Sequence, residues 1–322
     1  MPKVSIITLA YNTEKYIGRC LDSLLCQTMR DIEIVVVDDC STDGTPGILA
    51  DYSSRDERIK VVRHPENCGA LWGRKTGIEA STGDHILFVD GDDSVEPVIC
   101  QRLYDLAKEN DADLVISGLL IHNTDNTVRK QVYHLRYGSD SNALLKSFVM
   151  QEIQVVLSGK LFKKELLKDQ PFSYYKKHNG FDDFLINFQM CHNVRKAVCV
   201  EDTLYHYFKN PSSGTVRRFN EGYLDTIMRS CRHMLEITDK AEPEIAARAR
   251  LNVVRVAMDK IRNRYDRKLI KRLLKNNGLS ELFTFSSLRD LMGIRKACWY
   301  SLAMNTSFGA WLVAKFLGPY KA

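Results

Sequence analysis

The sequence predicts an α/β fold, a mostly parallel sheet flanked by helices and followed by a helical C-terminal extension. Three observations carry this. Runs rich in Val and Ile alternate with stretches of helical period through the first third of the chain. The runs are almost uninterrupted, which suits parallel strands buried on both faces. From Glu221 onward the strand signals cease and the chain is helical in character.

Val4–Leu9 is the first run and ends at Ala10-Tyr11-Asn12, a turn signal. Lys15–Gln27 carries Tyr16, Ile17, Cys20, Leu21, Leu24 and Leu25 at helical spacing. Ile32–Val37 is a second strand and closes in Asp38-Asp39-Cys40-Ser41-Thr42-Asp43-Gly44, rich in capping and turn residues. Pro46 opens a helix to about Ser54, where proline suits the first turn. Lys60–Arg63 is a short strand, Asn67-Cys68-Gly69 a loop, and Ala70–Ala80 a helix. His85–Val89 is a buried strand ending at Asp90-Gly91-Asp92-Asp93. A helix over Pro97–Asn110 and a strand over Asp113–Leu119 complete a β-α-β-α-β alternation.

After Gly138 the pattern changes. Asn142–Met150 reads as helical, Gly159-Lys160-Leu161-Phe162 leads into Lys163–Leu167, and Phe184–His192 is an amphipathic helix behind Gly180-Phe181-Asp182-Asp183. Ala197–Val200 and Leu204–Tyr207 read as two strands. A soft boundary falls near Phe208–Asn220, where Asn210-Pro211-Ser212-Ser213-Gly214 breaks the periodicity. This divides the chain into 1–218, itself split into halves at 117/118, and a helical region 219–322.

Composition bounds the function. Hydrophobic residues make up 44% and charged residues 27% of 322, the balance of a soluble globular protein. The nine cysteines include no C-x-x-C pair, which argues for reduced, buried thiols in a cytoplasmic protein and against structural zinc. The N-terminal MPKVSIITLAYN lacks the pattern of a signal peptide, and no stretch reaches the roughly 18 apolar residues that span a bilayer. Lys240–Lys275 holds twelve basic and four acidic residues, a net +8 against +6 for the whole chain, so the remainder lies near −2. No nucleic-acid-binding signature accompanies that basic segment.

The chemistry lies in where the acids fall. Asp38, Asp39, Asp90, Asp92 and Asp93 all stand at carboxyl ends of expected parallel strands, where open α/β sheets bind ligands. Carboxylates facing an anionic ligand repel it unless a hard cation intervenes. Mg²⁺ or Mn²⁺, taking carboxylate and phosphate oxygens, resolves the conflict and makes Asp90-Gly91-Asp92 a candidate metal site beside a diphosphate. The alternative for such acids is helix N-capping. No P-loop and no G-x-G-x-x-G follows the first strand, which weighs against NTPase and dinucleotide chemistry.

Three blocks, SIITLAYNTEKYIGRCLDSLLCQT, EIVVVDDCSTDGT and NCGALWGRKTGIEASTGDHILFVDGDD, resemble glycosyltransferase family 2, whose fold is the Rossmann-like GT-A. The resemblance is close over Pro2–Val95 and weaker to about Val216. It implies roles residue by residue. Thr8, Ala10 and Tyr11 would line the nucleotide pocket, with Asn67 and Gly69 shaping the adjoining loop. Asp39 would accept from the uracil N–H of a uridine diphosphate sugar, and Arg74 would reach the base or diphosphate. Asp90 would hold the ribose or the metal, Gly91 would line the nucleotide-sugar site, and Asp92 would be a metal ligand. Asp182-Asp183 stands where the family has a Glu-Asp pair opening a helix. Asp183 aligns with the catalytic base, and Asp in place of Glu at 182 leaves open which of the two acts. Lys160 in Gly159-Lys160-Leu161-Phe162 is either an electrostatic contact or a plain surface lysine. His206 in Leu204-Tyr205-His206-Tyr207 is either a metal or diphosphate contact or structural.

The resemblance implies an inverting transfer of a hexose or N-acetylhexosamine from a nucleotide-sugar donor to a glycan or lipid-linked glycan. Asp183, with an ordinary carboxylate pKa near 4, would take the acceptor proton. The setting would be bacterial surface-polysaccharide synthesis. The rival reading is an inactive nucleotide-sugar-binding scaffold of the same fold. Lys260–Lys275 is expected to form one helix with Ile261, Tyr265, Leu269, Ile270, Leu273 and Leu274 on one side and basic residues on the other. It suits either an anionic membrane surface at the inner face of the cell membrane, helped by Phe308, Trp311, Leu312, Phe316 and Leu317, or a solvated basic face packed against the catalytic domain.

Overall fold

The structure is a computed structural model and describes residues 2–167, 182–210, 221–262 and 267–293, with 296, 297, 300, 301 and 304. The chain divides into two compact units, Met1–Arg217 and Arg218–Ala322.

In the first unit, β1 (Val4–Ala10), β2 (Ile32–Asp38), β3 (Ile59–Arg63) and β4 (His85–Asp90) lie in the order β3-β2-β1-β4, all parallel. The apolar runs of β1, β2 and β4 are buried along nearly their whole length, as strands covered on both faces must be. Each aliphatic side chain removed from water there contributes about 1.5–3 kcal/mol. Helices α1 (Ile17–Leu25), α2 (Thr45–Arg55) and α3 (Ala70–Ala80) make the crossovers. α1 buries Ile17, Cys20, Leu21 and Leu24, the helical stripe visible in the sequence. α3 packs closely on β1: a Cβ at Gly77 would stand 2.3 Å from the Ile7 side chain, so only glycine fits. That approach sets where Arg74, one turn earlier, points.

The other half of the sheet is mixed. β5 (Ser94–Val95) and α4 (Ile99–Glu109) precede β6 (Leu114–His122), and β7 (Val128–Gln131) hairpins onto it. α5 (Ser141–Val149) leads towards β8 (Lys160–Lys163), which enters between β4 and β6, antiparallel to both. α6 (Asp182–Met190) then leads to β9 (Ala197–Phe208), parallel to β6 and antiparallel to β5. Among the described residues, six strands run one way and β5, β7 and β8 run against them. The sheet is therefore mostly parallel and flanked by helices.

Several local expectations change. The two strands expected at Ala197–Val200 and Leu204–Tyr207 are one, because β6 is long enough to pair across both with register shifts around Gly118. Lys164–Leu167 is a single 3-10 turn. β7 has no apolar alternation to reveal it, since Val128, Arg129 and Lys130 are exposed.

The second unit holds α7 (Glu221–Thr238), α8 (Pro243–Arg262), α9 (Arg267–Asn276) and α10 (Phe285–Met292). The helix expected over Lys260–Lys275 is the end of α8 followed by α9. The apolar face of α9 is not free for a membrane: Ile270, Leu273 and Leu274 are buried within the unit's own core. Lys268, Lys271, Arg272 and Lys275 remain exposed, with Arg272 paired to Glu221. The expected contacts at Tyr265 and Phe308–Leu317, and the break at 211–214, lie outside the described residues. No described helix is long and apolar enough to cross a membrane.

At the amino ends of the parallel strands, buried Glu33 binds the sheet together. Its carboxylate accepts from Ser5 Oγ (2.6 Å), Thr82 Oγ1 (2.8 Å), the Thr82 and Gly83 amides, and Lys60 Nζ (2.6 Å). Burial opposes the charge, but these bonds outweigh it and hold the pKa down to about 2. Glu33→Ala should therefore lower the unfolding free energy by several kcal/mol, at about 1–3 kcal/mol per stranded donor. A pKa depressed on folding contributes stability above the ordinary 4.5 that is lost as pH falls towards 2. Urea midpoints measured from pH 5 down to 3 should fall more steeply for the wild type than for Glu33→Ala.

Candidate active site

The parallel register brings the strand ends to one rim: Ala10 lies beside Asp38, and Leu9 beside Asp90. The loops leaving that rim are tied together. Asn12 takes a left-handed φ of 53° and exchanges bonds with Ser41 Oγ and the Thr42 amide. Glu14 Oε2 accepts from the Gly44 amide, and Asp43 from the Glu14 and Thr45 amides. Thr8 and Ala10 are buried under this latch, and Ala10 O accepts from the Asp39 amide. Of the three expected pocket residues from β1, only Tyr11 is exposed.

The neighbouring acids Asp38 and Asp39 separate in role. Asp38 turns inward, accepting from the Ser41 amide and pairing with Arg63, and so fixes the turn. Asp39 Oδ1 meets His64 Nδ1 and the Cys68 amide, both at 2.8 Å, and Oδ2 accepts from the Gly69 amide at 2.9 Å. Asn67 Nδ2 donates to Asp39 O. His64 was not singled out by sequence reading. It follows β3 directly, and its Nε2 continues the chain of bonds to Thr76 Oγ1 on α3. Asp39, His64 and Cys68 stand close enough to suggest a metal set. Their own hydrogen bonds account for the clustering, and a mixed N, O and S set is not what a hard cation selects.

The acids at the end of β4 converge with those of α6 on one cation. Buried Arg74 donates from Nε to Asp182 Oδ2 (2.7 Å), and its Nη2 lies 2.8 Å from Asp183 Oδ1 and 3.2 Å from Asp90 Oδ1. Burial works against the guanidinium charge, but Asp183, Asp90 and Asp182 outweigh it and hold Arg74 protonated. Asp183 responds oppositely. Burial, with Asp182 and Asp90 nearby, lifts its pKa to about 7 against the pull of Arg74 and Lys160. The ordinary value near 4 expected from the sequence is thus corrected. Asp182 is the more enclosed of the pair, with 10% of its side chain exposed against 26% for Asp183.

Asp92 is pushed up to about 6 by burial and by Asp90. Arg19 donates to the Asp92 carbonyl oxygen and stacks its guanidinium 3.6 Å from the centre of the Phe208 ring. Gly91 between the acids is required by close approach, since a Cβ there would stand 2.6 Å from the Leu9 carbonyl. Asp93 is buried and serves the fold: it accepts from Tyr205 Oη (2.7 Å) and the Phe208 amide (2.9 Å), while Tyr205 Oη accepts from the Asp90 amide.

The surface alternative for Lys160 is corrected: the residue is fully buried, and its charge bears on Asp183. His206 has both ring nitrogens engaged, Nε2 with Glu96 (2.8 Å) and Nδ1 with His122 (2.9 Å).

The donor set at the β4 end fits a hard divalent cation. Asp90 and Asp92 are carboxylates two residues apart, oxygen donors of the kind such a cation takes, and burial first and the Asp90 charge second hold Asp92 up to about 6.

The sequence profile of glycosyl transferase family 2 matches residues 5–172, more than half of the chain. The chain belongs to glycosyltransferase family 2. It is 32% identical over 223 residues to the uncharacterized glycosyltransferase EpsJ of Bacillus subtilis, covering 67% of this chain and 63% of that one. It is 31% identical over 208 residues to the poly(ribitol-phosphate) beta-glucosyltransferase of Bacillus spizizenii, covering 64% of this chain and 32% of the relative. The chain thus spans less than two thirds of the length of these curated relatives. Among solved structures it is similar to S. aureus TarS 1–349, with a TM-score of 0.68 at 20% identity, covering 99% of this chain and 93% of that one. TarS has also been solved with UDP-GlcNAc, and that complex matches with a TM-score of 0.63. The family 2 chain therefore has the GT-A fold, and its homologues include enzymes of bacterial cell-surface polysaccharide synthesis.

The clamp makes a titration prediction. In the metal- and donor-free protein the Asp183 carboxyl carbon should titrate near pH 7 by NMR. In Arg74→Met it should titrate higher, because the cation favouring its charged form is gone. A midpoint unchanged by the substitution would contradict the pairing.

Proposed function

We propose that this family 2 glycosyltransferase moves a sugar, with inversion, from a nucleotide diphosphate sugar to a hydroxyl of a glycan or lipid-linked glycan. A uridine diphosphate sugar is the first candidate donor, and bacterial surface-polysaccharide synthesis, at the cytoplasmic face, the setting. One observation carries the reading: Arg74 gathers the strand-end acid Asp90 and the helix-start acids Asp182 and Asp183 into one charged cluster. A donor site and a proton acceptor thereby come to lie side by side.

The division of labour follows. Exposed Tyr11 and the Asp39 loop face the base end of the donor. Asp39 is held by His64 and the Cys68 and Gly69 amides so that its carboxylate keeps one orientation for an imide N–H. Asp90 and Asp92 would hold Mn²⁺ or Mg²⁺, which when bound supplies charge neutralisation to the departing diphosphate. Asp183 is the base. It is the more accessible acid of the pair, and its pKa near 7 suits proton transfer at neutral pH. It takes the acceptor hydroxyl proton as that oxygen bonds the anomeric carbon and the bond to the diphosphate oxygen breaks. Asp182, bonded to Arg74 Nε, keeps the clamp in place. Attraction of the second unit to anionic membrane would rest on its exposed basic side chains alone.

Incubation with a panel of nucleotide sugars and candidate acceptors, measuring released diphosphate and product anomer, should reveal turnover. Donor binding without turnover would favour an inactive scaffold. Asp183→Asn should cut kcat by about 10²–10⁴-fold, the usual worth of a general base. A variant retaining full activity would refute the assignment. The acid limb of kcat/KM, which reports the free enzyme, should fall as pH drops through about 7, where Asp183 protonates.

A further inference from the structure

Lys160 opens β8 and is fully buried. Burying an ammonium is costly unless its protons find partners. Here they find three: Nζ donates to the carbonyl oxygens of Gln154 (2.7 Å) and Val156 and to Asn187 Oδ1 (3.2 Å). Three acceptors call for three N–H protons, which only the ammonium has. The Phe148 ring lies 5.1 Å from Nζ on another side. Burial pulls the pKa down to about 7, against the opposing charge of Asp183. Core filling alone would not select this residue, since a methionine fills similar space without burying a charge. What distinguishes the site is its continuation. Asn187, buried on α6, donates from Nδ2 to the Asp183 carbonyl oxygen at 2.8 Å, in the first turn of the helix. One ammonium thus ties the segment before β8 to the turn that carries both acids of the Arg74 clamp.

We propose that Lys160 is a positioning residue for the transfer reaction. Through Asn187 it fixes the first turn of α6, so that the Asp183 carboxylate stands at Arg74 and Asp90. The inference rests on the reading of Asp183 as the base. Lys160 touches no substrate, and its contribution is the placement of a group that does. Misplacing a catalytic group by about 1 Å can cost about 10²-fold in rate.

Lys160→Met and Asn187→Leu are the test. Each should lower kcat by about 100-fold while the donor KM stays within about threefold, the mark of an interaction lost in the transition state and not in donor binding. Lys160→Arg, which keeps charge and donors, should recover part of the rate. Amide hydrogen exchange over 182–190 should quicken in Lys160→Met relative to wild type. The proposal is overturned if folded Lys160→Met keeps kcat within about threefold of wild type, or if donor KM rises in step with the fall in kcat. It is also overturned if exchange in α6 is unchanged. If Lys160→Met does not fold, Asn187→Leu decides by the same criteria. Failure of the functional reading looks different: the wild type itself would turn over no nucleotide sugar, and the exchange comparison would still decide whether Lys160 orders α6.

Discussion

Arg74 is buried among three carboxylates, and the arrangement of the first unit can be followed outward from that guanidinium. Each acid is supplied by a different constraint. Asp90 stands where β4 ends beside β1, a position set by the parallel register. Asp182 and Asp183 come from the start of α6, where Arg74 meets both. Arg74 itself is placed by α3, whose glycine face lies almost on β1. An unpaired cation or a group of unpaired carboxylates would be expensive in this enclosed setting, so the ion cluster and the packing around it depend on one another.

The cluster also explains why these acids behave unlike one another. Asp38 and Asp93 share the strand-end position of Asp39 and Asp92, yet they turn into the structure and take backbone amides, Arg63 or Tyr205. Asp39, at the other end of the rim, is held by a histidine and two amides. Asp183 keeps a carboxylate partly open to solvent and a pKa lifted to about 7, above the value of about 6 at Asp92. On the proposed reading, donor recognition at Asp39 and proton transfer at Asp183 fall at two points of one rim, joined through Asp90 and Arg74.

The part of the sheet formed by residues 2–95 is legible in the sequence because its signals are local. β1, β2 and β4 are continuous apolar runs, and α1 and α3 carry helical stripes, so these elements appear within a few residues of their expected bounds. The later part of the first unit is less legible. β7 carries no apolar pattern, and β9 was divided because its exposed middle at Glu201 and Asp202 resembles a turn. The basic stripe of α9 was visible, but periodicity could not tell whether its apolar face meets lipid or the neighbouring helices, and Ile270, Leu273 and Leu274 meet protein.

By itself the sequence determined the α/β alternation, the acids at the strand ends, and the motif blocks that mark family 2. These depend on neighbours within one element or one turn. Only the tertiary structure decided which acids face the rim, that Arg74 pairs across 108 residues with Asp182, that His64 supports Asp39, and that Lys160 is buried and His206 already bonded. The reason is physical. Residue type and spacing fix local geometry, whereas the partner of a buried charge depends on strand register, on where β8 is inserted and on the direction a side chain leaves the backbone.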